Sequence, residues 1–451
     1  TLVFRFRKRH SPLTIYTPPT NVSSRAPERS SSRYVKWKVA LGMPANGSPV
    51  VQGDRIFLTT PEDAEGKGRT LECYARADGK RLWARTVQID EEMPTHETNP
   101  YCGTTPAVSG DRVVVWHATA GLHCYDLEGE SIWSRDLGEF RHIWGYGTSP
   151  IIREGVVYLN TGPGARTFMT ALDLKSGETL WETDEPDVRT PEELESRRIA
   201  GSWCTPIITE DGDRPLLVCG QPTRVVAYDL ESGSIAWTCD GIRGTRGNLT
   251  YSSPVVAGDT CVFVGGWEGP TLGVKLGATG PEAGSRQLWR HAAQMSNCAS
   301  GAYMNGRIFI PDMRGILWCI DPATGLPDWK ERVARGGTWG SIVSAGDRMY
   351  LLAQSGTTVV FKADKEGLEV LAENEIDERT NSTLAVVDAT FTAQAAATNV
   401  TAEGVHIANR CLVEVLEGLE PLPVVIRARE PSGFVADGMS IQSRRSTGMD
   451  A

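Results

Sequence analysis

The side chains with the most chemistry to offer stand in bunches between apolar runs. His96, Glu97, Asn99 and Tyr101 form one bunch, and Arg141, His142, Trp144 and Tyr146 a second. Ser202 with Trp203 follows, then Arg243, Arg246, Asn248 and Tyr251, then Gln294, Ser296 and Asn297, then Arg335 with Trp339, and finally Glu378, Arg379 and Asn381. Arg and Asn donate to anionic or carbonyl groups, and Trp and Tyr give flat faces for stacking. The candidate ligand-binding set is therefore His96, Asn99, Tyr101, His142, Trp144, Tyr146, Trp203, Arg246, Asn248, Asn297, Trp339 and Arg379. His96, Glu97 and His142 lack the local spacing of a metal site, and no metal ligand is assigned. The chain has no Gly-x-Ser-x-Gly elbow and no phosphate-cradling glycine loop before a helix, so no catalytic residue is assigned either.

These bunches recur because the elements around them recur. Trp37, Trp83, Trp133, Trp181, Trp237, Trp289 and Trp329 are separated by 46, 50, 48, 56, 52 and 40 residues. Five of the seven close the phrase Gly-x-x-x-Trp, beginning at Gly79, Gly129, Gly177, Gly233 and Gly325. An aspartate precedes each glycine, and an apolar run such as LECYA or LWCID precedes the aspartate. The other half of the unit is a hairpin pattern, as in SPVVQGDRIFLT (48–59), TPAVSGDRVVVW (105–116) and SPVVAGDTCVFV (253–264). Strand, Gly-containing turn, strand, apolar strand and Trp-bearing strand make four short antiparallel strands per unit. One such sheet cannot bury both faces. Units at a period near fifty residues bury them against neighbours around an axis.

The expected fold is an all-β, eight-bladed propeller of four-stranded antiparallel blades, with seven full blades and an incomplete closing blade. The propeller spans 33–386. A lone fourth strand around Trp37 and a lone first strand at 382–386 meet in the closing blade. Residues 1–32 and 387–451 lack the turn phrase and the apolar pattern, and read as poorly ordered or of altered coding. The bunched polar and aromatic residues then sit on connectors from a fourth strand to the next first strand, around one mouth of the channel.

Composition narrows the function classes. A formal net charge of -10 speaks against nucleic acid as a partner. No apolar stretch is long enough for a transmembrane helix. Cys73, Cys124, Cys219, Cys261 and Cys319 sit in strand-like apolar runs and read as small buried hydrophobes. No Cys-x-x-Cys and no vicinal cysteine pair occurs.

The phrases LDLKSGETLW (172–181) and YDLESGSIAW (228–237) resemble the pyrroloquinoline-quinone-type (PQQ-like) propeller repeat. The branch in view is similar to the bacterial outer-membrane assembly lipoprotein. That resemblance implies a non-enzymatic binding scaffold in the periplasm or cell envelope, with a protein, small molecule or carbohydrate engaged at the channel mouth by a monomer. The alternative it carries is a quinone-dependent dehydrogenase of alcohols or sugars, with PQQ and calcium on the axis. The vicinal disulfide and haem motif of those enzymes are missing here, so no cofactor is expected.

Overall fold

The computed structural model describes residues 6–7, 35–387, 390–395 and 411–416, apart from 165, 187–189, 191, 193–198, 279–285, 293–294, 296 and 376–377. Seven consecutive four-stranded antiparallel sheets cover 50–88, 107–135, 151–184, 207–240, 255–291, 302–332 and 343–375, and are numbered here as blades 1 to 7. In each, the second and third strands are buried along nearly their whole length, as in Arg112–Trp116 and Phe168–Asp173. The outer strand alternates, and in Ser131–Arg135 its one fully buried side chain is Trp133. Two-sided burial of the inner strands requires a neighbour on each face, which radial stacking supplies.

The repeated tryptophans and glycines fasten one blade to the next. The Trp133 indole donates to Leu174 O at 2.8 Å, and a Cβ on Gly177 would lie 2.5 Å from the same ring. Trp37, Trp83 and Trp181 cover Gly79, Gly129 and Gly233 in the same way, and donate to Arg76 O, Leu127 O and Leu230 O. In blades 1 to 3 the phrase Gly-x-x-x-Trp thus serves two interfaces: its glycine receives the preceding blade's indole, and its own indole covers the next glycine. Blade 5 lacks the phrase. There Trp237 donates to Asp211 at 3.1 Å and lies 4.8 Å beneath the Arg286 guanidinium, which pairs with Asp211.

A second ring of contacts runs around the axis. Each inner strand is preceded by a serine or threonine, and in seven of the eight its hydroxyl accepts the backbone N–H of the blade before. The links are Ser48 N to Thr105, Thr105 N to Ser149, Ser149 N to Thr205, Ser253 N to Ser300, Ser300 N to Ser341, Ser341 N to Thr383 and Thr383 N to Ser48, at 2.9–3.3 Å. The chain of links returns to its start after eight blades. Between blades 4 and 5 a parallel pair, Ala200–Ser202 with Asn248–Thr250, stands at the same junction where the hydroxyl link is missing.

The closing blade differs from the expectation of an incomplete sheet ending at 386. Its strands are Ala385–Val387, Thr390–Ala395 and Cys411–Leu416, and Val35–Ala40 forms the outer strand with Trp37 opposite Glu414. The sequence hid this because Asp388 and Ala389 stand where other copies carry glycine, and because TFTAQA is a threonine- and alanine-rich strand. Phe6–Arg7 adds to the outer edge of blade 7. The rest of the ends expected to be poorly ordered lies outside the described residues.

Candidate functional site

A cavity of about 790 Å³ opens at one end of the channel. Its floor is the hydroxyl ring: Ser48, Thr105, Ser149, Thr205, Ser253, Ser300, Ser341 and Thr383 all line it. These are the serines and threonines of the repeated S/T-P phrase and its weaker copies, so one repeat position builds both the inter-blade link and the floor. Connectors from a fourth strand to the next first strand make most of the wall. Trp267, Glu268, Met313 and Arg314 come instead from second-to-third-strand turns at the same end.

The wall has two chemically distinct sectors. Over blades 3 to 5, Trp144, Trp203, Tyr251 and Trp267 form a crescent with ring centroids 5.5–6.5 Å apart. Trp203 is fixed by donation from its indole to Gly145 O at 3.1 Å. Trp267 is held in a left-handed backbone conformation, φ 34°, followed by Glu268 at φ 58°. For a bulky side chain this is a strained geometry, and such strain persists only where the surroundings impose it. The turn is made possible by Gly266, whose Cβ would meet the Tyr251 ring at 2.4 Å, and by Gly269, whose Cβ would lie 2.5 Å from the Gly265 backbone.

The opposite sector is built of carboxamides. Asn99 donates to Trp144 O at 2.8 Å and Tyr146 O at 3.1 Å, and so carries the aromatic connector. Asn46 donates to Thr98 O at 2.9 Å, and Asn381 donates to the same oxygen at 3.3 Å. His96 meets the Thr98 hydroxyl through Nδ1 at 2.9 Å. Formal charges in the lining are paired. Glu268 is 2.8 Å from Arg246, whose guanidinium also lies 5.4 Å from the Trp267 ring, and Arg314 is 2.6 Å from Asp312.

Of the twelve residues expected at the mouth, His96, Asn99, Trp144, Trp203 and Trp339 line the cavity. Arg246 acts on it through Glu268 and Trp267. His142 packs edge-on against Trp203 at 4.9 Å, where burial lowers its pKa to about 4. Tyr101 and Tyr146 are buried behind the wall, and sandwich the Arg69 guanidinium at 4.7 and 5.2 Å. Arg69 is fully buried, donates to the Tyr146 hydroxyl at 2.6 Å, and holds the connector from beneath. Asn248 is buried in the parallel strand pair, Asn297 is buried outside the lining, and Arg379 is half-buried outside it. Connector residues alternate between channel-facing and core-facing, which residue type alone does not reveal. The residues missed were Trp267, Met295, Met313 and the hydroxyl floor; the glycine-rich run GGWEGP was the available signal for Trp267.

Among the described residues no group of three His, Cys, Asp or Glu could hold a metal ion. The nine cysteines from Cys73 to Cys319 are unpaired, and burial pushes the thiols of Cys73 and Cys124 up to about 11 and about 12.

The profile of outer membrane protein assembly factor BamB matches residues 67–331 and 275–404 of this chain. No curated protein sequence matches it. Among solved structures, BamB from Moraxella catarrhalis is similar at 13% identity and a TM-score of 0.56, over 84% of this chain and 98% of that one. A europium-containing methanol dehydrogenase is similar at 9% identity and a TM-score of 0.61, over 85% and 94%. The quinohemoprotein alcohol dehydrogenase of Comamonas testosteroni is similar at 12% identity and a TM-score of 0.59, over 86% and 77%. At these identities the structures speak for the fold.

Proposed function

From the premise that this chain belongs to the PQQ-like propeller family of outer membrane protein assembly factor BamB, we propose that it is a non-catalytic binding propeller. It takes a ligand or partner at the mouth of its channel. The observation that carries this reading is the aromatic crescent of Trp144, Trp203, Tyr251 and Trp267 over a cavity whose formal charges are already paired. Aromatic faces on a rigid ring suit recognition of a ligand.

The dehydrogenases of the same fold raise the quinone-and-calcium alternative. Calcium takes six to eight oxygen ligands and draws its affinity from carboxylates. The lining offers one carboxylate, Glu268, engaged by Arg246. Asp312, next in the chain to the lining residues Met313 and Arg314, accepts the N–H groups of Arg314 and Ile316, at 2.9 and 3.1 Å, and is spent on its own turn. The vicinal cysteine pair of the quinone enzymes is also missing from the sequence. The residues present do not fit that pair of cofactors, and no redox step is derived.

The two readings separate by titrating the full chain with PQQ and calcium while following tryptophan fluorescence. The binding-propeller reading expects no saturable change up to high micromolar quinone. A saturable quench accompanied by alcohol-dependent dye reduction would replace it with the dehydrogenase. Among the described residues no helix is long and apolar enough to cross a membrane. An envelope setting is proposed from the family alone.

A further inference from the structure

Resting on the binding-propeller reading, we infer that the ligand of the channel mouth is a neutral saccharide. The floor carries the argument. A Ser or Thr hydroxyl has two lone pairs and one proton. In seven of the eight floor hydroxyls one lone pair takes the backbone N–H of the neighbouring blade. Among the described residues no protein acceptor takes their protons. The floor is therefore a ring of convergent O–H groups, each still able to donate once and accept once. Sugar hydroxyls have that same dual capacity, and arrays of them pair best with such groups.

The walls agree. A pyranose presents a C–H face that packs on the negative face of an aromatic ring, and the crescent gives several such faces at one side of the floor. Across from it, Asn46 and Asn99 spend their amide N–H groups on Thr98 O, Trp144 O and Tyr146 O, and so hold the connectors that shape the wall. The described lining carries one acidic and one basic side chain, Glu268 and Arg314, each beside an opposite charge, so no net charge selects an anion or a cation. An apolar peptide side chain would satisfy the crescent but cover the floor hydroxyls without matching them. The cavity, about 790 Å³, falls in the range of small-molecule sites.

The test uses the full chain and three neutral probes, maltotetraose, cellotetraose and N-acetylchitotetraose, followed by tryptophan fluorescence and calorimetry. Saturable binding of at least one is expected, little changed between low and high salt. Trp144→Ala should weaken it about tenfold or more, the size expected for losing a stacked aromatic anchor. Trp144→Ala removes packing, so Ser253→Ala is the second variant. The Ser253 hydroxyl is the floor member outside the N–H links, and its loss should cost about threefold or more in affinity with the thermal midpoint unchanged. If no sugar binds while a phenylalanine-containing tripeptide quenches fluorescence in a Trp144-dependent way, the saccharide is wrong and the binding propeller stands. If neither class binds, both readings fall.

Discussion

Three histidines make the fold sensitive to acid. Burial against Trp203 lowers His142 to about 4. Burial holds His117 well below its ordinary value, with His123 and Arg69 adding to the effect, and burial lowers His123 although its hydrogen bond to Ala120 O works the other way. In the unfolded chain each ring takes its proton near pH 6.5. Above that pH both states are neutral and stability is flat. Below it the unfolded chain binds protons that the folded chain refuses, so stability falls as pH drops from about 6.5 through about 4 for His142. Thermal midpoints measured across this window should fall, and His142→Gln should lessen the loss by on the order of 2 kcal/mol, discounted for partial exposure. A midpoint that stays level from pH 7 to about 4 would refute neutral buried rings.

At the scale of the blade, the staple is the unit to test. Gly177 has φ 69° and the Trp133 ring against it, whereas Gly53 has φ 56° and open space around it. Alanine at either position meets the left-handed penalty of about 1–2 kcal/mol. At Gly177 it also drives into the indole, adding about 1–3 kcal/mol of overpacking. Urea denaturation of Gly177→Ala and Gly53→Ala should therefore differ by that second amount; equal losses would mean the indole yields freely. Trp133→Phe keeps most of the packing but leaves Leu174 O without its donor, and should cost about 1–2 kcal/mol by the same assay.

The whole ring depends on its latch. Val35–Ala40 pairs with Cys411–Leu416, Trp37 covers Gly79 of blade 1, and Lys38 forms an ion pair with the buried Glu378. These contacts join the early chain to the late chain and cover the edge of Cys411–Leu416. Deleting residues 1–44 removes the outer strand and the Trp37 staple together. Light scattering after gel filtration should then show self-association through the exposed Cys411–Leu416 edge, where the full chain is expected to run as a monomer. The midpoint should drop by on the order of ten degrees. An unchanged monomer with an unchanged midpoint would show that the latch is dispensable.

The sequence by itself determined the fold class, the blade count and the Trp–Gly staple. Each depends on a residue type recurring in phase, and the indole, glycine and Ser/Thr positions do so from Ser48 to Trp329. It also located the connectors that make the mouth. The tertiary structure decided which connector side chains face the channel. Tyr101 and Tyr146 turn inward onto a buried Arg69, and Trp203 turns outward beside them, although all three are aromatic residues on equivalent loops. It also revealed that the closing blade completes itself from Thr390–Ala395 and Cys411–Leu416, segments without the repeat phrase. The physical reason is the same in both cases. A recurring position writes its packing into every copy, whereas a loop's facing and a divergent strand's pairing depend on neighbours remote in the chain, which no local pattern encodes.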